Sequence, residues 1–262
     1  MIDDPEQSPA PVPQTPDLDQ PAPPMTRGTR VWLVALAAGI LAAALAWPAV
    51  EAAVRSIPTE TEAANVNGEA QAIVTVLSSY RSDVKRATLA YGLQGAILGL
   101  ALGLAGAAVR RSAGVAPAAA LVGLIGGGAA GAGVSFGLFP IFFRYLDPIS
   151  GDLLLPLIAH SAVWSAVGAA GGLAFGIGRG GGPGRIAWAV LGGLAAAALG
   201  AVACEFLGAF IFPQAKTDMP VAAEPAARLL AITLFCLSTA AGAASTDRPS
   251  SPGPARARIP TP

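Results

Sequence analysis

A single histidine, two cysteines and few charges narrow the possibilities for this 262-residue chain before any motif is sought. One His cannot make a multi-histidine metal site, and two Cys cannot make a disulfide framework. Charged residues are only 12% of the chain, against about 25% in a typical soluble domain, so half of the usual solvating surface is missing. Sixteen basic residues balance sixteen acidic ones, which excludes a polybasic surface for nucleic acid. Aromatic residues are scarce, at 6%, whereas there are 32 glycines. That combination points to helices packed through small side chains.

What is present is apolar. Hydrophobic residues make up 53% of the chain and gather in long runs. A helix rises about 1.5 Å per residue and the hydrocarbon core of a bilayer is about 30 Å thick, so a span needs about 20 apolar residues. Six stretches qualify: Val31–Val50, Ala87–Val109, Val115–Phe139, Leu153–Ile177, Ile186–Ile211 and Ala227–Ala244. The last is the shortest and begins beside Arg228. A soluble helical protein would need polar helix faces, and Val115–Phe139 offers only Ser135. The expected fold class is therefore all-α, a polytopic transmembrane bundle of about six spans with disordered tails.

The tails are residues 1–26, acidic and rich in proline, and residues 247–262, rich in proline and arginine. Residues 27–50 form the first span. Read from Met25 it resembles a secretory signal ending in Ala44-Leu45-Ala46, but the acidic tail in front and the apolar run continuing to Val50 favour an uncleaved anchor. Residues 51–86 form an outer connection that breaks at Asn67-Gly68. Beyond the break, Ile73, Val76, Leu77, Tyr80 and Val84 recur at helical spacing, predicting an amphipathic helix that lies on the interface or extends the second span. Residues 87–246 hold five spans, as hairpins 87–140 and 153–213 and a final helix at 227–245.

Basic residues orient the bundle. Arg27, Arg30, Arg110, Arg111, Arg179, Arg185, Arg248, Arg256 and Arg258 fall on one side if six spans alternate. Both termini are then cytoplasmic, in a bacterial inner or plasma membrane. Arg81, Lys85 and Arg86 lie on the other side, against the rule. The outer aromatics Phe139, Phe142, Phe143 and Tyr145 suggest an interfacial belt.

The two hairpins look like copies. The run from Ala90 (AYGLQGAILGLALGLAG) loosely matches the run from Ala159 (AHSAVWSAVGAAGGLAFG), and Ser135-Phe136 falls opposite Glu205-Phe206. Both units start outside, so the repeat is parallel. Small residues recur every fourth position at Gly95, Gly99, Gly103; Gly123, Gly127, Gly131; and Gly168, Gly172, Gly176. These runs resemble the glycine-zipper pattern of many membrane proteins, a packing motif rather than a family. Lipid solvates Leu as well as a neighbouring helix does, so close backbone approach must drive association. Small faces should meet in the bundle and bulky faces should meet lipid.

An ionisable group at membrane depth costs about 3 kcal/mol and marks a candidate site. Glu205 and His160 are such groups, each roughly 10 Å below the outer end of its span at about 1.5 Å per residue. Gln94 and Ser135 fall near the same depth, so Gln94, Ser135, His160 and Glu205 share one layer on four helices. Cys204 and Cys236 lie close to it. Two thiols, an imidazole and a carboxylate suit a tetrahedral metal, but neighbouring Cys204 and Glu205 point about 100° apart on a helix. No metal or cofactor is expected. Neither is catalysis: Ser161 and Ser165 lack a nucleophile context, and the Gly-rich Arg179–Arg185 turn lacks the Lys-Ser/Thr ending of a phosphate loop.

The leading functional reading is a non-enzymatic scaffold or assembly subunit, with the bilayer, copies of itself or other membrane proteins as partners. The alternative is a small permease or channel that uses the outer polar layer at Glu205 and His160.

Overall fold

The computed structural model describes residues 27–66, 69–146, 153–213 and 219–245. Both expected tails lie outside the described residues. Six helices dominate: α1 (Arg27–Ser56), α2 (Val76–Arg110), α3 (Ala116–Tyr145), α4 (Leu154–Arg179), α5 (Pro183–Ile211) and α6 (Pro225–Ser245). All six are long and apolar enough to cross a membrane.

Each odd-numbered helix lies between two even-numbered ones. α1 packs on α2 and α6, α3 on α2 and α4, and α5 on α4 and α6. The inner helices α2, α4 and α6 are accordingly more buried than the outer three. Residue size accounts for which faces turn inward. On α5, Gly193, Ala197, Ala201 and Gly208 are buried, while Leu191, Leu199, Phe206 and Phe210 are exposed.

Helices α2 and α3 touch backbone to backbone. A Cβ placed on Gly99 would stand 2.0 Å from the Gly123 carbonyl oxygen, and one on Gly95 would stand 2.2 Å from that of Gly127. Neither position has room for any side chain. In α4 and α5 the closest approaches are Gly168 to Gly193, at 2.5 Å on the same measure, and Gly172 to Ala189, at 2.2 Å. Both hairpins also turn alike. Arg111 and Gly180 end α2 and α4 with positive φ, 58° and 69°, and each N–H donates back to the helix end it closes. For Arg111 the left-handed backbone costs about 1–2 kcal/mol relative to a right-handed one.

Residues 51–86 depart from expectation. Strands β1 (Glu62–Val66) and β2 (Glu69–Ile73) pair antiparallel on either side of Asn67-Gly68, a dipeptide that favours hairpin turns. The strands are short and largely exposed, so no alternation of apolar residues announced them. The amphipathic segment takes the second of its two expected forms, an extension of the second span. Thr75 caps it, its Oγ1 accepting from the Ser78 N–H, and the helix then runs unbroken for 35 residues to Arg110. Ion pairs from Lys85 to Glu60 and from Arg81 to Glu62 tie the hairpin to α2, and Arg86 donates to the Ile57 carbonyl at 3.0 Å. The Lys85 ammonium holds the Glu60 carboxyl below the usual carboxylate range.

α3 likewise continues past Pro140 to Tyr145. Its aromatics do not form a belt: Phe139, Phe142 and Phe143 are buried, Phe143 stacked on Tyr80 at 4.2 Å and Phe139 on Tyr91 at 6.1 Å. Only Tyr145 of that group is exposed. These rings fill the space where α2 and α3 carry no facing glycines.

Candidate functional site

The helix order brings the start of every even helix and the end of every odd one to the same end of the bundle, which also carries the β-hairpin. The polar groups concentrate there. On α4, His160 turns inward toward α5, and its Nδ1 shares a hydrogen bond with Glu205 Oε1. Both side chains are only 10% exposed. The second carboxylate oxygen, Glu205 Oε2, is buried without a hydrogen-bond partner, and so is the Trp164 indole Nε1. A buried carboxylate normally fills its acceptor positions, so an orphan oxygen marks a place where water or a cation belongs.

The space for it exists. Tyr91, His160, Trp164, Cys204, Glu205 and Met219 line a cavity of about 40 Å³, and a single water needs about 10–15 Å³. Trp164 borders the cavity from α4, its ring packed on Phe235 of α6 at 4.8 Å and reaching Gly200 of α5.

A strap closes the cavity from the hairpin end. Residues Met219–Ala223, between α5 and α6, cross over it, and Met219, Pro220 and Ala222 line both this cavity and a wider cleft of about 300 Å³ on the strap's far side. The Tyr91 hydroxyl donates to the Pro220 carbonyl at 2.8 Å. Arg228 Nη1 donates to the carbonyls of Ala222 and Ala223, at 2.7 and 2.8 Å. The same guanidinium grips Glu51 of α1 with two bonds, Nε to Oε1 at 2.6 Å and Nη2 to Oε2 at 3.0 Å. This pair is as buried as the His160–Glu205 pair. One arginine thus fastens α1, α6 and the strap together.

Of the four residues expected to share a layer, His160 and Glu205 meet directly. Gln94 is buried and lines an adjoining cavity of about 40 Å³ that shares Tyr91 and Trp164 with the first. Ser135 is buried on α3, lines neither cavity, and leaves its Oγ without a partner. Cys204 borders the site while Cys236 is enclosed on α6, and no three His, Cys, Asp or Glu side chains gather among the described residues. Glu51, Arg228 and the strap escaped sequence reasoning. Glu51 and Arg228 each stand at the edge of an apolar run, where a charge usually means only that the span has ended. Their partnership joins positions 177 residues apart, which no local spacing reveals.

Comparison with protein families, curated proteins and solved structures finds no match for this chain. The site alone carries the functional reading.

Proposed function

We propose that this multi-pass membrane protein takes up a proton or a small cation at Glu205, from the non-cytoplasmic side, and works as a small permease or channel. The carrying observation is the buried His160–Glu205 pair beside a cavity, with the second carboxylate oxygen buried and unpartnered. A carboxylate so placed is costly unless its charge is answered, and a bound proton or cation answers it. The imidazole can hold or release a proton beside it. Met219–Ala223 is the barrier between the site and the outer cleft, and Tyr91 and Arg228 hold that barrier shut. The reading is non-enzymatic: the His160–Glu205 pair is assigned to binding a proton or cation and to no bond-making step. The Arg-rich turns at the end opposite the strap support a cytoplasmic position for both termini.

The test is ion uptake by the full chain in liposomes loaded with a pH-sensitive dye, read after an acid step and after a monovalent-cation gradient. The intact protein should exceed protein-free vesicles, and Glu205→Gln should fall to their level while still inserting. Equal fluxes in the intact and Glu205→Gln proteins would sink the transport reading.

A second reading, a scaffold or assembly subunit, is favoured by the backbone contact of α2 and α3. Such packing makes a stiff unit that needs no ligand to hold it. It is supported if the protein is recovered in a stoichiometric complex whose formation is indifferent to Glu205→Gln.

A further inference from the structure

α2 is longer than a span requires. Its 35 residues, at about 1.5 Å each, make a rod of about 52 Å, against about 30 Å of hydrocarbon and about 40–45 Å of whole bilayer. Its first turns, and the last turns of α3 stacked on them through Tyr80 and Phe143, therefore stand at headgroup level and beyond. Between them runs a groove of about 630 Å³, within the roughly 300–1,000 Å³ typical of small-molecule sites. Its floor is apolar, formed by Leu77, Tyr80, Val84, Phe136, Pro140 and Phe143, and its rim carries Arg81, Lys85 and Arg144. Leu77 and Phe136 are exposed along it. Arg81 and Lys85 answer Glu62 and Glu60, whereas Arg144 has no ion-pair partner among the described residues.

An apolar trough with cations at its rim, at the depth of lipid phosphates, fits an amphiphile with a negative head. We propose that this groove binds one anionic phospholipid, its phosphate at Arg144 and its upper acyl chain along Tyr80, Val84 and Phe136. Basic clefts between spans bind anionic headgroups on this principle, a charge beside an apolar channel for the tail. Such a role also explains why Arg81 and Lys85 stand on the side where basic residues are normally few.

The experiment is native mass spectrometry of the full chain in a neutral detergent, with phosphatidylglycerol and phosphatidylcholine supplied in equal amounts. One phosphatidylglycerol should be retained, several-fold in preference to phosphatidylcholine. Arg144→Gln should bring the two lipids to parity, and Arg30→Gln, at the opposite end, should leave the preference unchanged. Equal retention by the unaltered protein, or an undiminished preference in Arg144→Gln, overturns the proposal. If Arg144→Gln does not fold, a photoactivatable phosphatidylglycerol on the unaltered protein decides. Labelling within residues 76–85 or 136–145 supports the site, and labelling confined to other segments overturns it.

Discussion

The two central hairpins are built on one plan in their lower halves and part company in their upper halves. Gly99 meets Gly123 in the first hairpin as Gly168 meets Gly193 in the second, and Gly103 meets Ala119 as Gly172 meets Ala189. Their turns close with positive φ at Arg111 and at Gly180. One helical turn further toward the hairpin end, the first unit repeats the contact with Gly95 on Gly127, whereas the second has Trp164 near Ala197. A turn beyond that, the first keeps the contact with Gly131 on the Tyr91 backbone, at 2.1 Å, where the second has His160; Ser135 and Glu205 hold corresponding places one turn further along α3 and α5. The close glycine contact makes a seam that water cannot enter. In the same register of the second hairpin the Trp164 ring lies against Gly200 and Phe235, and the polar pair sits beyond it. Packing and site chemistry are thus alternatives at one level of the bundle.

Several substitutions would break or sharpen that contrast. The largest effect is expected from Arg228→Ala, which leaves the buried Glu51 carboxylate only the longer contact from exposed Arg55, at 3.4 Å, and releases the strap over the second hairpin. Removing one partner of a buried ion pair costs about 3–5 kcal/mol. In the Cys236→Ala background, a small thiol reagent should then label Cys204 faster, while hydrogen exchange in the α2–α3 seam stays slow. Unchanged labelling would mean that the strap does not guard the cavity.

Gly99→Leu comes next. The new side chain has no space against the Gly123 backbone, and overpacking of this kind costs about 1–3 kcal/mol or more. Gly168→Leu should cost less, because its nearest backbone atom stands at 2.5 Å rather than 2.0 Å. Thermal unfolding of the two variants in the same bilayer mimetic gives the order directly. Tyr91→Phe removes one neutral hydrogen bond to the strap, about 1 kcal/mol, and should raise Cys204 labelling modestly. Ser135→Ala should be nearly silent, since its hydroxyl has no partner to lose. A strong loss from Ser135→Ala would show that the first hairpin also carries a polar site.

Much of this architecture was legible in the sequence because a bilayer leaves few options. Runs of about 20 apolar residues can only span, and the six runs fall within the six helices. Glu205 and His160 were visible because ionisable groups inside such runs are rare. Their direct contact was not, since depth on a helix says nothing about azimuth relative to a neighbour. Ser135 shares that depth and points elsewhere. The β-hairpin stayed hidden because its strands are five residues each, made mostly of alanine and polar residues, and their only local signal was Asn67-Gly68. The aromatics of α3 were misplaced because a ring at interface depth serves equally as a belt toward lipid or as a wedge between helices. Tyr80 and Tyr91 on α2 decide for the wedge.

The central claim is that Glu205 is an inward-facing carboxyl that exchanges a proton or cation through a closed cavity. Infrared difference spectroscopy of the reconstituted protein between acid and neutral pH tests it most directly. Sixteen Asp and Glu side chains contribute protonated-carboxyl bands on acidification; one component should be missing in Glu205→Gln and should shift when Arg228→Ala opens the strap. A spectrum that is identical with and without Glu205 would contradict it.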